Sequence, residues 1–257
     1  MEKELKRLFK YDKFRNKQKE IVEASLNNEN IIVLMPTGGG KSLCYQFPAT
    51  QVEGITLVIS PLKSLIQDQI DGLKKKKINV VSFYGDTSMY EKQEIMINMG
   101  EYKYVLIYTT PETLSNNVLF VTRLQEMYDE KKLNRIVIDE AHCISTWGHD
   151  FRPSYRAISN LSEAFPDIPF IALTATATPK VVSDIKDNLK LTIVKIFNQS
   201  FFRDNLDIQV FERDTKSKDK IVNLIQNKYQ KQTGIIYCLS RKNCETMSEY
   251  LNKNNIN

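Results

Sequence analysis

Apolar residues recur along the chain in short, nearly continuous runs separated by longer stretches with helical spacing. The runs are Ile31–Met35, Thr56–Ser60, Val80–Tyr84, Tyr104–Thr109, Arg135–Ile138 and Phe170–Thr174, most of them rich in Val and Ile. Runs this short, without polar alternation, predict strands covered on both faces, as in a parallel sheet. Between them Leu43–Thr50, Leu62–Lys75, Tyr90–Met99, Leu114–Lys131 and Arg156–Phe165 carry the pattern of helices. Residues 1–29 predict two further helices. Leu5, Leu8 and Phe9 keep helical spacing in the first, and Ile21, Val22, Ser25 and Leu26 keep it in the second. Strand–helix alternation of this kind predicts a doubly wound α/β domain with a mainly parallel sheet, whose ligands bind beyond the carboxyl ends of the strands.

Near Asn198 the composition changes. A strand at Asp207–Glu212, a helix from Asp219 to Gln230, a strand at Gly234–Leu239 and a helix from Arg241 predict the opening of a second α/β domain. The expected division is 1–197 and 198–257. A complete domain of this class needs roughly 100 residues or more, so the second is expected to be partial.

Composition narrows the class. Hydrophobic content of 42% and charged content of 26% are ordinary for a globular protein. A net charge of +5 permits nucleic acid as a partner without requiring it. The run Lys74–Lys77 at a helix end is read as a solvated face favoured by the helix dipole. Cys44, Cys143, Cys238 and Cys244 form no C-x-x-C pair, which argues against a structural zinc site and suits a reducing compartment. Met1–Arg7 is charged and lacks an apolar core, so no secretory leader is expected, and no apolar run approaches a membrane span. An intracellular location is expected, nuclear in a eukaryote or cytoplasmic and nucleoid in a bacterium.

The first predicted strand runs into Met35, Pro36, Thr37, Gly38, Gly39, Gly40, Lys41 and Ser42, and a predicted helix follows. Glycines let backbone N–H groups turn inward around an anion, and the helix points its positive end at the same spot. Lys41 is placed to reach the β- and γ-phosphates of a nucleotide, and the Ser42 hydroxyl to ligate Mg²⁺. Met35 stands where the G-x-x-x-x-G-K-[ST] pattern has its first glycine. The acidic half of such a site follows the fifth strand as Asp139 and Glu140. One carboxylate must hold Mg²⁺ against the phosphates, which suits Asp139. A second must orient and deprotonate the attacking water, which suits Glu140. Alone, an Asp-Glu pair is an ordinary polar strand terminus; its pairing with the Lys-Ser loop gives it meaning.

These two segments resemble the paired nucleotide motifs of superfamily-two helicases, which tolerate a non-glycine at the loop's first position. The chain resembles the RecQ family of DNA helicases more closely, over residues from about 8 to 245. Tyr11, Phe14, Arg15 and Gln18 resemble its adenine-reading motif. Ser60, Pro61, Leu62, Ser64, Leu65, Asp68 and Gln69 resemble its first strand-contacting motif, and Tyr108, Thr109, Thr110, Pro111 and Glu112 its next. The stretch from Cys143 to Tyr155, with Trp147, His149, Phe151 and Arg152, resembles the aromatic-rich loop, the most discriminating segment. Leu173–Thr178 and Ser200–Leu206 follow in the family's order.

The resemblance implies a RecA-like ATP-binding domain with the start of a second, and ATP-driven, 3′-to-5′ DNA unwinding in repair and recombination. It also implies ATP and Mg²⁺ as cofactors, and single-stranded DNA and duplex junctions as partners. On residues alone, Tyr11, Arg15 and Gln18 read as an amphipathic helix with a buried ring and two solvated polar groups. The resemblance implies instead that Gln18 reads the N6/N7 edge of adenine, while Tyr11 and Arg15, four apart on the expected helix, flank the base with ring and guanidinium. Trp147 and Phe151 could be core packing; interleaved Gly148, Asp150 and Arg152 favour stacking on unpaired bases, and the resemblance implies that the loop couples DNA binding to hydrolysis. It likewise implies that His142 relays between Glu140 and the Thr174–Thr176 segment. Thr174 and Thr176 read on residues alone as strand formers.

The family's late motif, whose arginines stabilise the γ-phosphate, has no counterpart after Gly234–Ser240, so a missing C-terminal helicase half is expected. Two alternatives stand beside the helicase: an ATP- and DNA-binding module without unwinding, and, more weakly, an RNA helicase.

Overall fold

The computed structural model describes residues 1–101, 103–147, 153–200 and 206–256. Its contacts divide the chain into two units, Met1–Phe202 and Arg203–Asn257.

The first unit opens with helices α1 (Glu2–Phe9) and α2 (Gln18–Leu26). It continues as β1 (Ile31–Leu34), α3 (Leu43–Ala49), β2 (Ile55–Ile59), α4 (Lys63–Lys74), β3 (Val80–Phe83) and α5 (Met89–Gly100). Then come β4 (Leu106–Thr109), α6 (Pro111–Asn116), α7 (Val118–Asp129) and β5 (Leu133–Ile138). Two 3-10 segments, Ala141–Ile144 and Pro153–Asn160, lead to α8 (Leu161–Ala164), β6 (Phe170–Thr174), α9 (Pro179–Asn188) and β7 (Lys195–Asn198).

The seven strands form one sheet in the order β3-β4-β2-β5-β6-β1-β7. Every pairing is parallel. The continuous apolar runs explain this. β1 alternates its side chains between two layers: Ile32 and Leu34 join one core, Ile31, Val33 and Met35 the other. Both faces must therefore be covered. Leu5, Phe9, Ile21, Val22, Phe47, Ile66 and Ile70 from α1–α4 cover one. Ile95, Met99, Leu114, Phe120, Leu124, Val181 and Ile185 from α5, α6, α7 and α9 cover the other. Parallel register brings all carboxyl ends to one edge. Met35, Ser60, Thr110, Asp139 and Thr176 lie just past the ends of β1, β2, β4, β5 and β6 there.

The expected helix Leu114–Lys131 is two helices. Asn117 breaks it with φ −120° and ψ 88°, and its side chain accepts from the Phe120 N–H at 3.0 Å, capping α7. Such a cap is worth about 1 kcal/mol. The expected helix Arg156–Phe165 is 3-10 through Asn160 and α-helical only over Leu161–Ala164. β7 and α9 were not expected. β7 lies across the forecast division at residues 197 and 198.

The second unit holds α10 (Ser217–Lys228) and α11 (Arg241–Lys253). The strands expected at Asp207–Glu212 and Gly234–Leu239 are absent among the described residues. Ile208, Val210, Tyr237 and Leu239 have the alternation of strands but are 80–91% exposed. A strand is completed by its ladder, and no pairing involves these segments. The two strands expected there are thus corrected, while the helices expected after each are present as α10 and α11.

Candidate nucleotide site at the carboxyl edge of the sheet

The glycine-rich loop leaves β1 beside β6, where the Met35 N–H donates to the Thr174 carbonyl at 3.1 Å. Met35 is fully buried in the core and has a part in the loop's shape. A Cβ on Gly39 would stand 2.7 Å from Met35 Cγ and 2.9 Å from the Pro36 carbonyl oxygen. The side chain in place of a first glycine thus fills the space under the loop and forces glycine above it. Gly40 is held at φ +85°, and a Cβ there would lie 2.3 Å from Gln18 Nε2. Pro36, Thr37 and Gly38 complete the turn, with Gly38 also at positive φ. Lys41 Nζ donates to the Met35 carbonyl at 3.1 Å, folding back on its own loop.

Gln18 is buried at the start of α2. Its Oε1 accepts from the Arg15 N–H at 2.8 Å and its Nε2 donates to the Gly40 carbonyl at 3.1 Å. One end of the amide therefore braces the phosphate loop, and the other holds the loop between α1 and α2. Tyr11 and Arg15 are not four apart on a helix, as the spacing suggested. They lie in the loop joining α1 to α2, because Lys10 ends α1 in the left-handed conformation and Gln18 begins α2. Tyr11, Arg15, Gln18, Gly40 and Ser42 still line one cavity of about 320 Å³ with Phe9, Leu43 and Asp68. That is within the size range of small-molecule sites.

On the acidic side, Asp139 Oδ2 accepts from Ser60 Oγ at 3.4 Å and Oδ1 from the Glu140 N–H at 3.1 Å. Burial, reinforced by the neighbouring Glu140 charge, pushes the Asp139 carboxyl up to about 6. Lys41 acts in the opposite sense. Glu140 sits at φ 50°, a left-handed turn that ends strand alternation and lets consecutive carboxylates serve one site. Its Oε2 lies 3.2 Å from His142 Nδ1. The same nitrogen is 2.9 Å from Thr174 Oγ1, which donates to the Thr176 carbonyl at 3.1 Å and accepts from the Thr176 N–H at 3.1 Å. Glu140, His142, Thr174 and Thr176 are thus one hydrogen-bonded chain across the tips of β5 and β6.

A desolvated carboxylate next to a second one, together with the Ser42 hydroxyl where the phosphate loop meets α3, offers oxygen donors of the kind a hard cation such as Mg²⁺ takes. Ser42 and Asp139 fit that ion by the chemistry of their oxygen atoms.

Trp147 is 64% exposed and does not pack in the core. His149, Phe151 and Arg152, with the neighbouring Gly148 and Asp150, lie outside the described residues, as do Arg203 and Asn205. The segment's ends are fastened. Ser145 Oγ donates to Asp184 Oδ2 at 2.6 Å, Ser154 Oγ to Glu112 Oε1 at 2.7 Å and Tyr155 Oη to the Asp139 carbonyl at 3.1 Å. A second cavity of about 690 Å³ lies beyond β2, β3 and β4, lined by Pro61, Lys63, Asp86, Thr110 and Glu112. It joins the two segments expected to contact a nucleic-acid strand.

Sequence reasoning missed a buried polar cluster behind the phosphate loop. Gln46 Nε2, on α3, donates to Gln69 Oε1 of α4 at 2.8 Å and to Tyr108 Oη of β4 at 3.2 Å. The cluster ties the loop's helix to both strand-contacting segments. Gln46 falls on an otherwise apolar helix, and a lone polar residue there was the only signal.

Comparison with known proteins decides the lineage: the sequence pattern of the DEAD/DEAH box helicases matches residues 15–185. The chain belongs to that family. Its curated relatives narrow the resemblance to the RecQ type. It is 42% identical over 253 residues to the RecQ-like DNA helicase blm-1 of Caenorhabditis elegans, covering 97% of this chain and 26% of the relative. It is 44% identical over 248 residues to the ATP-dependent DNA helicase Q-like 4B of Arabidopsis thaliana, covering 96% and 22%. The chain therefore spans about a quarter of these relatives' lengths. Among solved structures, the DUF1998 helicase MrfA bound to DNA and AMPPNP is similar in fold, with a TM-score of 0.75 and 21% identity over 99% of this chain and 38% of that one. No helix among the described residues is long and apolar enough to cross a membrane.

Proposed function

We propose that this DEAD/DEAH box domain is the ATP-binding part of a RecQ-type DNA helicase that couples ATP hydrolysis to 3′-to-5′ unwinding in repair and recombination. One observation carries the reading. The phosphate loop with Lys41 and the pair Asp139–Glu140 share the carboxyl edge of one sheet, and Glu140 is joined through His142 to Thr174. That is the arrangement phosphoryl transfer needs: a phosphate cradle, a metal ligand and a positioned base.

In this reading ATP sits with its base in the cavity of Tyr11, Arg15 and Gln18. Gln18 exchanges one of its two backbone partners for the adenine edge, which links base recognition to the position of Gly40. Lys41 leaves the Met35 carbonyl for the phosphates. Ser42 and Asp139 hold Mg²⁺, which would supply charge neutralisation at the phosphate oxygens. Glu140 takes the proton of the attacking water, and His142 holds that carboxylate in register with Thr174 and Thr176. The segment 146–152 reads DNA occupancy, and Tyr155, beyond its end and bonded to the Asp139 carbonyl, carries that state to the acid pair. Single-stranded DNA and duplex junctions are the proposed partners, inside the cell. Residues 198–257 are proposed as the start of a second helicase domain.

A second reading is an ATP- and DNA-binding module without unwinding. It is favoured by the lack of any sheet in 206–256 among the described residues. Mg²⁺-dependent ATP turnover and strand displacement, measured with and without single-stranded DNA beside Lys41→Ala and Glu140→Gln, separate the two. Displacement lost in both variants supports the helicase. DNA-stimulated turnover without displacement supports the module. ATP binding with turnover no higher than that of both variants supports the module as well, and absence of ATP binding contradicts both readings.

A further inference from the structure

α9 starts immediately after the threonine segment at the tip of β6. Thr178 caps it, accepting from the Val181 N–H at 3.4 Å, and Pro179 occupies its first turn. Val181, Val182 and Ile185 anchor one face in the core. Lys180 and Asp184 stand four residues apart and so share another face. Both reach the same short segment. Asp184 Oδ2 accepts from Ser145 Oγ at 2.6 Å, and Ser145 Oγ accepts in turn from the Trp147 N–H at 3.1 Å. Ser145 is fully buried, which shields this relay from water. Lys180 Nζ lies 3.0 Å from the centroid of the Trp147 ring. One helix therefore fixes both the backbone and the ring of Trp147, while 64% of that residue stays open to solvent.

An exposed tryptophan held this way is unusual if it only packs. A free indole on a loop would have to lose rotamer freedom on meeting a ligand; one held beforehand has already lost it. Unpaired bases stack on such aromatic surfaces regardless of sequence. We infer that Lys180 and Asp184 are positioning residues that hold Trp147 as a preorganised stacking platform for an unpaired base of single-stranded DNA. They thereby connect that platform to the helix rooted in Thr174–Thr178. The inference rests on reading 146–152 as the DNA-coupling loop. It adds two residues on a different element, neither of which touches the nucleotide cavity.

Trp147 is the only tryptophan, so intrinsic emission reports this residue alone. The test uses the full chain without nucleotide, a single-stranded oligodeoxythymidylate as probe, and the variants Trp147→Ala, Lys180→Met, Lys180→Arg, Asp184→Ala and Asp184→Asn. Lys186→Met removes one charge from the same helix as a control. Lys180→Met is expected to shift the emission, increase acrylamide quenching and weaken oligonucleotide binding about five- to tenfold. Asp184→Ala is expected to weaken it similarly. Lys180→Arg, which keeps a cation over the ring, and Asp184→Asn, which keeps an acceptor for Ser145, should restore binding. The salt dependence of Lys180→Met should match that of Lys186→Met. A log–log slope shallower by about one than the control would make Lys180 a phosphate contact and overturn the positioning role. If Trp147→Ala weakens binding while Lys180→Met and Asp184→Ala bind like wild type, the platform assignment is overturned and the loop reading survives. If Trp147→Ala binds like wild type, the loop reading itself fails.

Discussion

Gly40→Ala tests how the phosphate loop is held. Two costs are separable. The first is conformational: φ +85° at Gly40 is a region that an L side chain enters at about 1–2 kcal/mol. The second comes from Gln18. A Cβ would lie 2.3 Å from Nε2, so the amide must withdraw, and its 3.1 Å bond to the Gly40 carbonyl goes with it. A hydrogen bond of this kind contributes about 1 kcal/mol. Gly40→Ala should therefore cost about 2–3 kcal/mol in urea unfolding of the wild-type chain. In a Gln18→Ala background the conformational cost remains but nothing is displaced, so the same substitution should cost about 1–2 kcal/mol. The coupling of about 1 kcal/mol, read from a double-mutant cycle, exceeds the few tenths expected of independent sites. Strict additivity would refute the claim that Gln18 braces the loop.

Four further outcomes follow from the same coordinates. Arg135 is 1% exposed, donates to the Ser25 carbonyl at the end of α2, and leaves Nε and Nη1 without a partner among the described residues. Burial depresses its guanidinium to about 10, yet it stays charged at neutral pH. Arg135→Met should leave the melting temperature unchanged or raised, whereas Arg135→Ala, which opens a cavity, should lower it. Thr174→Val strips the buried contact to His142 and the part-buried contacts to Thr176, so DNA-stimulated turnover should fall at least tenfold while ATP affinity holds within twofold, a split readable from kcat against KM. Burial pushes the Cys44 thiol up to about 12, so native-state alkylation at pH 8 should label exposed Cys244 and spare Cys44, as peptide mass mapping would report. Asn117→Ala, which removes the α7 cap, should cost about 1 kcal/mol in denaturant unfolding, with Asn117→Ser nearly neutral.

The central strands were legible because burial on both faces leaves no polar alternation, as in Ile31–Leu34 and Leu106–Thr109. β7 was not. Only Phe197 of its four residues is buried, and an edge strand carries half the pattern. α9 was overlooked although Thr178 and Pro179 form a readable start signal ahead of Val181, Val182 and Ile185. The opposite error arose at Asp207–Glu212 and Gly234–Leu239. There period-two patterning was real, but a pattern cannot supply the neighbour that a ladder needs. Within the site, the residue types of the loop and the acid pair could be read, since phosphate and metal chemistry restricts them. The bracing of Gly40 by Gln18, the fit of Met35 under Gly39 and the hold of α9 on Trp147 link distant positions. No local spacing records such contacts. Tyr11 and Arg15 illustrate the point. Their four-residue interval suggested one helix, whereas the left-handed Lys10 places them in a loop that still delivers both to the cavity.

Equilibrium binding of ATP and GTP to the full chain in Mg²⁺, by calorimetry beside Lys41→Ala and Gln18→Ala, bears most directly on the nucleotide site. The expected result is ATP binding at least tenfold tighter than GTP, with the preference abolished by Gln18→Ala and affinity for both nucleotides reduced by Lys41→Ala. Equal affinity for ATP in all three proteins would contradict it.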